Sequence, residues 1–116
     1  MIPVLSLEAL RTGDVASLFE GDRHGNVALA FFVMTWPPQG GPELHTHPYP
    51  EVFLVQDGRA AFTVGDDELE VGGGHVLVVP AETPHRFRNS GEGPLRIISV
   101  HPSGSVVQRD LPKEAR

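Results

Sequence analysis

Three histidines and one glutamate have the residue types and spacing to hold a metal ion. His45 and His47 are two positions apart, so on an extended backbone both imidazoles project from one face. Glu51 begins the next apolar run, and His85 begins a later one. Neutral imidazoles and a carboxylate suit one divalent transition metal: iron, manganese, nickel, copper or zinc. The alternative is that these histidines are simply solvated, since a lone His-x-His pair is a weak motif.

The composition excludes several classes of protein. The 116 residues include no cysteine, which rules out disulfide frameworks, thiolate metal sites and cysteine nucleophiles. The formal net charge is −6, which argues against nucleic acid or an anionic membrane as a partner. No stretch approaches the ~20 apolar residues of a membrane span, and no secretory signal is visible. We therefore expect a cytoplasmic protein whose partner is a small-molecule ligand or substrate.

Short apolar runs separated by glycine and proline indicate strands. One short helix is expected at residues 6–11, where Ser6 is a candidate N-cap. This pattern predicts an all-β sandwich or barrel, with residues 1–116 forming a single domain. The predicted strands are residues 27–36, 51–56, 59–64, 68–71, 75–79, 85–89 and 95–100, with a further edge strand within residues 106–116.

Alternation along the strands predicts the neighbours of the candidate ligands. Phe53 and Val55 share a strand face with Glu51, and Phe87 shares one with His85. Because ligand pockets are mainly apolar with a few polar groups, Phe53, Val55 and Phe87 are expected to line a pocket. The two arginines in the strand that begins at His85 lie on its opposite face and are expected to meet solvent or another subunit.

The other histidines lie outside this pattern. His24 is expected on the surface of a turn, and His75, which follows three glycines, is also expected at the surface. His101 stands at the end of a predicted strand and is given no part in the site.

These residues resemble the two sequence motifs of the cupin family, which forms jelly-roll barrels. Two positions depart from the motifs, because Gln39 and Glu82 stand where each motif has a glycine. The first motif, G-x5-H-x-H-x3,4-E-x6-G, is matched within about residues 40–58 by His45, His47, Glu51 and Gly58. The second, G-x5-P-x-G-x2-H-x3-N, is matched within residues 74–89 by Gly74, Pro80, His85 and Asn89.

The resemblance implies a double-stranded β-helix, or jelly-roll barrel, around a mononuclear metal site. Its ligands would be His45, His47, Glu51 and His85, and Glu51 could also release the metal and accept a proton. The implied activity is that of a metal-dependent oxygenase or isomerase acting on a small organic acid or enol-type substrate, in the manner of a dioxygenase. A non-catalytic small-molecule-binding or sensory module and a sugar or sugar-phosphate isomerase remain the alternatives.

The departure at Glu82 has a physical consequence. A glutamate held there in the left-handed region costs roughly 1 kcal/mol relative to glycine, unless the turn takes another shape. The loop length is unchanged, so His85 is still expected to reach the site.

The run at residues 27–36 is apolar on both alternating faces. In a small barrel only one face of such a strand meets the interior, so a second covering surface is needed. We therefore predict a symmetric homodimer, an arrangement that the resemblance also suggests.

Overall fold

The computed structural model describes residues 2–112, which form two five-stranded antiparallel sheets and one 3₁₀ turn at Glu8–Leu10. The strands β1 to β10 are Ala16–Glu20, Ala30–Trp36, His45–Thr46, Glu51–Asp57, Arg59–Val64, Asp67–Gly72, His75–Val79, His85–Asn89, Leu95–His101 and Arg109–Asp110. The sheet orders are β1-β2-β9-β4-β7 and β10-β3-β8-β5-β6, which confirms the predicted all-β jelly-roll barrel. Within residues 2–112, no helix has the length and hydrophobicity needed to cross a membrane.

The core lies between the two sheets. Phe53 on β4 packs edge-on against Phe62 on β5 and Phe87 on β8, with ring centroids 5.0 and 5.7 Å apart. These side chains are buried together with Val55 and Ile97. Burial of one such side chain contributes about 1.5–3 kcal/mol, so this cluster is the main apolar contribution to holding the sheets face to face.

The first part of the chain differs from the prediction. The strand expected at residues 27–36 begins only at Ala30, because Gly25 and Asn26 adopt left-handed φ values of 85° and 53° and turn the chain. The sequence analysis missed β1, which pairs with β2 over its full length. The predicted helix at residues 6–11 is a single 3₁₀ turn, although the Ala9 amide does donate to Ser6 Oγ at 3.1 Å.

The expected strands from β4 to β9 are present within a residue or two of their predicted ends. The predicted C-terminal edge strand is the two-residue β10, which pairs with β3, while residues 113–116 of that prediction lie outside the described residues. Gly58 makes the turn between β4 and β5 possible, since its φ is 93° and a Cβ there would lie 2.7 Å from the Pro94 carbonyl oxygen. This turn carries the chain from one sheet to the other.

Asn89, the last residue of β8, joins the end of β2 to the turn between β8 and β9. Its Nδ2 donates to the carbonyls of Trp36 and Gly93 at 2.9 and 2.8 Å, and its Oδ1 accepts from the Gly91 amide at 2.9 Å. Since Asn89 is fully buried, these bonds replace those that water would otherwise supply. The asparagine of the second motif therefore has a structural role here.

Both residues that replace a motif glycine adopt the conformation that favours glycine. Gln39 has a φ of 70° and Glu82 a φ of 60°. Each turn is held by a backbone bond, from the Gln39 amide to the Asn89 carbonyl at 2.9 Å and from the Glu82 amide to the His47 carbonyl at 2.8 Å. Both turns are therefore left-handed, and a residue other than glycine occupies each of them at a cost in backbone strain.

Replacing Glu82 by glycine is expected to raise the free energy of unfolding by about 0.5–1 kcal/mol, because the left-handed strain is removed. Chemical denaturation of the wild type and the variant measures this change. Glu68→Gly is the matched control, since Glu68 lies within β6, where glycine is expected to lower the free energy of unfolding by about 0.5–1 kcal/mol. A destabilised Glu82→Gly would contradict the argument from strain.

Candidate metal centre

Two sheets bring four potential ligands to one point inside the barrel. His45 on β3 lies directly opposite His85 on β8 in one sheet, and Glu51 begins β4 in the other. His47 follows β3, and all four side chains are buried. One ligand atom from each of the four lies within 4.8 Å of all the others. The structure therefore brings together every residue that the sequence analysis selected for a metal.

Backbone carbonyls determine which nitrogen of each histidine faces the centre. A carbonyl oxygen only accepts hydrogen bonds, so a ring nitrogen that contacts one must carry the proton. In all three histidines this nitrogen is Nδ1, which leaves the Nε2 lone pair for a ligand. The bonds run from His45 to Glu43 at 2.6 Å, from His47 to Val107 at 2.8 Å and from His85 to Thr83 at 2.7 Å.

The groups that converge are all acceptors. Glu51 Oε1 lies 2.8 Å from His85 Nε2 and 3.1 Å from His47 Nε2. Among the described side chains, His47 Nε2 is the one buried polar atom that makes no hydrogen bond. Lone pairs and a carboxylate at these distances repel one another unless a positive charge lies between them. The arrangement therefore fits either protons on the imidazoles or a bound cation.

The pKa values show how strongly this carboxylate is stabilised in its charged form. Burial acts to raise the pKa of Glu51, but contacts with His101, His47 and His85 outweigh burial and lower it. Burial also acts to lower the pKa of His47, yet its contacts with Glu51 and a backbone carbonyl raise it. Burial lowers the pKa of His45. Glu51 is thus ionised, and His47 takes up a proton more readily than His45.

The sequence analysis missed a fifth residue of the site, His101. It is 1% exposed, and its Nε2 lies 3.2 Å from Glu51 Oε2, the carboxylate oxygen that faces away from the other histidines. Tyr49 Oη lies 2.7 Å from its Nδ1. Alternation along β9 was the available signal, because His101 falls on the same face as the buried Leu95 and Ile97.

The remaining histidines take no part in this cluster. His75 is exposed, and its Nδ1 contacts the nearby Gly72 carbonyl at 3.0 Å. His24 stacks on Phe19 beside the first hairpin, with ring centroids 5.8 Å apart.

A cavity of about 210 Å³ lies next to the cluster. Phe53 and Phe87 line it, whereas Val55 is fully buried in the core and is absent from its described lining. Ser99 and Gln108 add polar groups to the wall, and no described lining residue is a lysine or arginine. Its largest apolar lining residues besides these two phenylalanines are Phe32, Met34 and Trp36.

Comparison with known proteins places this geometry in a family. The model of the cupin domain matches residues 32–101, which is more than half of the chain. An uncharacterized Streptomyces coelicolor protein, SCO3923, is 31% identical over 94 residues, covering 81% of this chain and 87% of its own. The uncharacterized protein MJ1618 of Methanocaldococcus jannaschii is 34% identical over 56 residues, which cover 47% of this chain and 45% of that protein.

Solved structures share the fold. Oxalate decarboxylase from Bacillus subtilis at pH 4.6 superposes with a TM-score of 0.82 over 90% of this chain and 30% of its own, at 21% identity. The formate complex of Lactobacillus farciminis oxalate decarboxylase gives 0.76 over 87% of this chain and 32% of its own, at 20% identity. The chain thus spans about a third of the length of these enzymes, and the likeness concerns the fold. Together with the match over residues 32–101, it shows that the chain belongs to the cupin domain family.

Proposed function

We propose that this cupin holds one divalent transition metal through His45, His47, Glu51 and His85. The observation that carries the proposal is the convergence of three Nε2 lone pairs and an ionised carboxylate oxygen within 4.8 Å. The orphaned Nε2 of His47 supports it, because a metal would supply the missing partner. Three neutral imidazoles and one carboxylate leave a divalent ion with a residual charge of about +1.

The cavity wall supports a substrate with a chelating head and an apolar body. The wall is mainly aromatic and apolar, and the described lining residues offer no cation to a second carboxylate or to a phosphate. A small organic acid or enol-type molecule fits these features. They argue against a sugar phosphate, which needs positive partners for its phosphoryl oxygens.

The metal would supply Lewis acidity and, in octahedral coordination, two positions beyond the four protein ligands. The protein contributes orientation and the exclusion of water, because the ligand set is buried under an apolar wall. Glu51 would accept a proton from the substrate only after releasing the metal, since its oxygen at the centre of the cluster cannot bind both at once. A dioxygenase-like reaction is the activity that we propose.

A non-catalytic binding module is the second candidate. The observation in its favour is that, outside the metal-binding cluster, the described cavity wall is largely apolar, with Ser99, Gln108 and His101 as its polar residues. Such a site binds a ligand as readily as it transforms one. Tight binding without turnover by the metal-loaded protein would favour this candidate.

Elemental analysis of protein purified without chelator or nickel resin is expected to find about one transition metal ion per chain. Manganese should be among the metals used to reconstitute the metal-free protein, because Mn(II) centers are described in Bacillus subtilis oxalate decarboxylase.

His47→Ala removes one proposed ligand and is expected to lower metal affinity at least tenfold and to abolish turnover. Oxygen uptake with diketones, flavonols and small hydroxy acids measures that turnover.

His75→Ala is the matched control, since it removes an exposed histidine outside the cluster and should keep both metal and activity. Equal metal binding by the two variants would contradict the proposed ligand set. Metal binding by the wild type without turnover of any compound would favour the binding module instead.

Bound metal is expected to fall as the pH drops below about 6.5, because protons compete for the imidazole lone pairs. As the pH falls, His47 should be protonated before His45. The pKa of His47 is raised from the ordinary value of 6.5, whereas that of His45 is lowered. Dialysis at a series of pH values followed by elemental analysis measures the loss. Full occupancy after long dialysis at about pH 4.5 would contradict a histidine-based site.

We also propose that the outer face of the sheet β1-β2-β9-β4-β7 forms the interface of a homodimer. Alternation places apolar residues on this face, opposite the core, and the strand register aligns them in rows. Val76 and Val78 at its β7 edge are 61% and 58% exposed. The rows are Phe31, Val100, Val52 and Val78, and beside them Val33, Ile98, Leu54 and Val76.

The double variant Val76→Lys and Val78→Lys is expected to convert a wild-type dimer into a monomer, because a second copy would bury the added charges. Analytical ultracentrifugation at micromolar concentration measures the change. Val27→Lys is the control, since this exposed valine lies in the loop before β2 and should leave the dimer intact. A monomeric wild type would contradict the interface.

A further inference from the structure

We propose that His101 is a positioning residue for Glu51 and that Tyr49 selects the tautomer in which it acts. The proposal rests on the metal site proposed above and concerns how one of its ligands is aimed. Neither His101 nor Tyr49 is matched by the two sequence motifs. Both lie beside the four-residue cluster, and His101 is almost completely buried.

Glu51 uses its two oxygens differently. Oε1 faces His47 and His85, whereas Oε2 lies 3.2 Å from His101 Nε2. Tyr49 donates to His101 Nδ1 at 2.7 Å, so the ring proton of His101 lies on Nε2, next to this carboxylate oxygen. This contact favours one rotation of the carboxylate and leaves Oε1 pointing to the centre of the cluster. A metal would then meet one oxygen of Glu51.

The tautomer of His101 is the reverse of that in the three candidate ligands. With the proton on Nε2, its Nδ1 is an acceptor, and Tyr49 Oη lies 2.7 Å away as the donor. Ser99 Oγ lies 3.3 Å from the same Nε2 and accepts as a second partner. No Nε2 lone pair therefore faces the centre from His101, which makes it a support for a ligand and not a fifth ligand.

Tyr49 connects His101 to His47, a second candidate ligand. Its oxygen accepts from the Val107 amide at 3.1 Å, and the Val107 carbonyl accepts from His47 Nδ1 at 2.8 Å. Tyr49 also stacks on His47, with ring centroids 5.3 Å apart and planes at 8°. Hydrogen bonds thus run from His101 through Tyr49 and Val107 to His47, and the contact of His101 with Glu51 extends this chain to the carboxylate. Partners of this kind typically change metal affinity 10- to 100-fold.

The test is titration of the metal-free full chain with Mn²⁺ alone, reading the dissociation constant and the Mn(II) EPR spectrum. His101→Leu fills the same space without a donor and is expected to raise the dissociation constant 10- to 100-fold and to change the EPR spectrum. His101→Gln places an amide N–H within reach of Oε2 and is expected to restore most of the affinity and the wild-type spectrum. A role in packing alone would not distinguish these two variants in this way.

Tyr49→Phe keeps the stacked ring and removes one oxygen, so it tests the proposal even where His101→Leu fails to fold. Its dissociation constant for Mn²⁺ is expected to rise several-fold. Wild-type affinity and spectrum in folded His101→Leu, or in Tyr49→Phe, would overturn the positioning role. A wild-type protein that binds no divalent metal would instead overturn the proposed metal site, and the positioning role would fall with it.

Discussion

The structure of the site depends on one electrostatic constraint, which is that acceptors are gathered where only a positive charge can hold them together. Each of the three candidate ligand histidines gives its single ring proton to a backbone carbonyl, so the lone pairs and the Glu51 oxygen point at one another. Removed from water, such a group costs several kcal/mol unless a cation or protons compensate. The surrounding barrel supplies the rigidity that keeps the side chains from turning away.

That rigidity comes from the way the two sheets are tied together. Antiparallel pairing of β3 with β8 fixes His45 opposite His85, and the aromatic cluster around Phe53 holds β4, with Glu51 at its head, against the other sheet. Asn89 anchors the far end of β8 to the end of β2 and to the turn before β9. The strain accepted at Gln39 and Glu82 is small beside these contacts. Strand pairing and apolar packing therefore determine where the candidate ligand side chains lie.

The barrel and the four-residue cluster could be predicted because their signals are local. The alternation of His45 with His47 and the turn residues between short apolar runs lie within a few positions of each other. What the prediction missed depends on distant contacts. β1 has a weak pattern of its own and is a strand because β2 pairs with it, and His101 gains its role from Glu51, fifty residues earlier in the chain. The start of β2 was misplaced for a local reason, because the left-handed turn at Asn26 delays the strand.

The Val107 carbonyl holds the ring of His47, which lies sixty positions earlier, and β10 pairs with the short strand that carries His45. During synthesis on the ribosome, the residues of the second motif emerge well before this stretch does. The centre therefore reaches its final shape only when the end of the barrel has folded into place. Capture of an ion with native geometry would thereby be a late step, coupled to the folding of β10 and not to the appearance of the candidate ligands themselves.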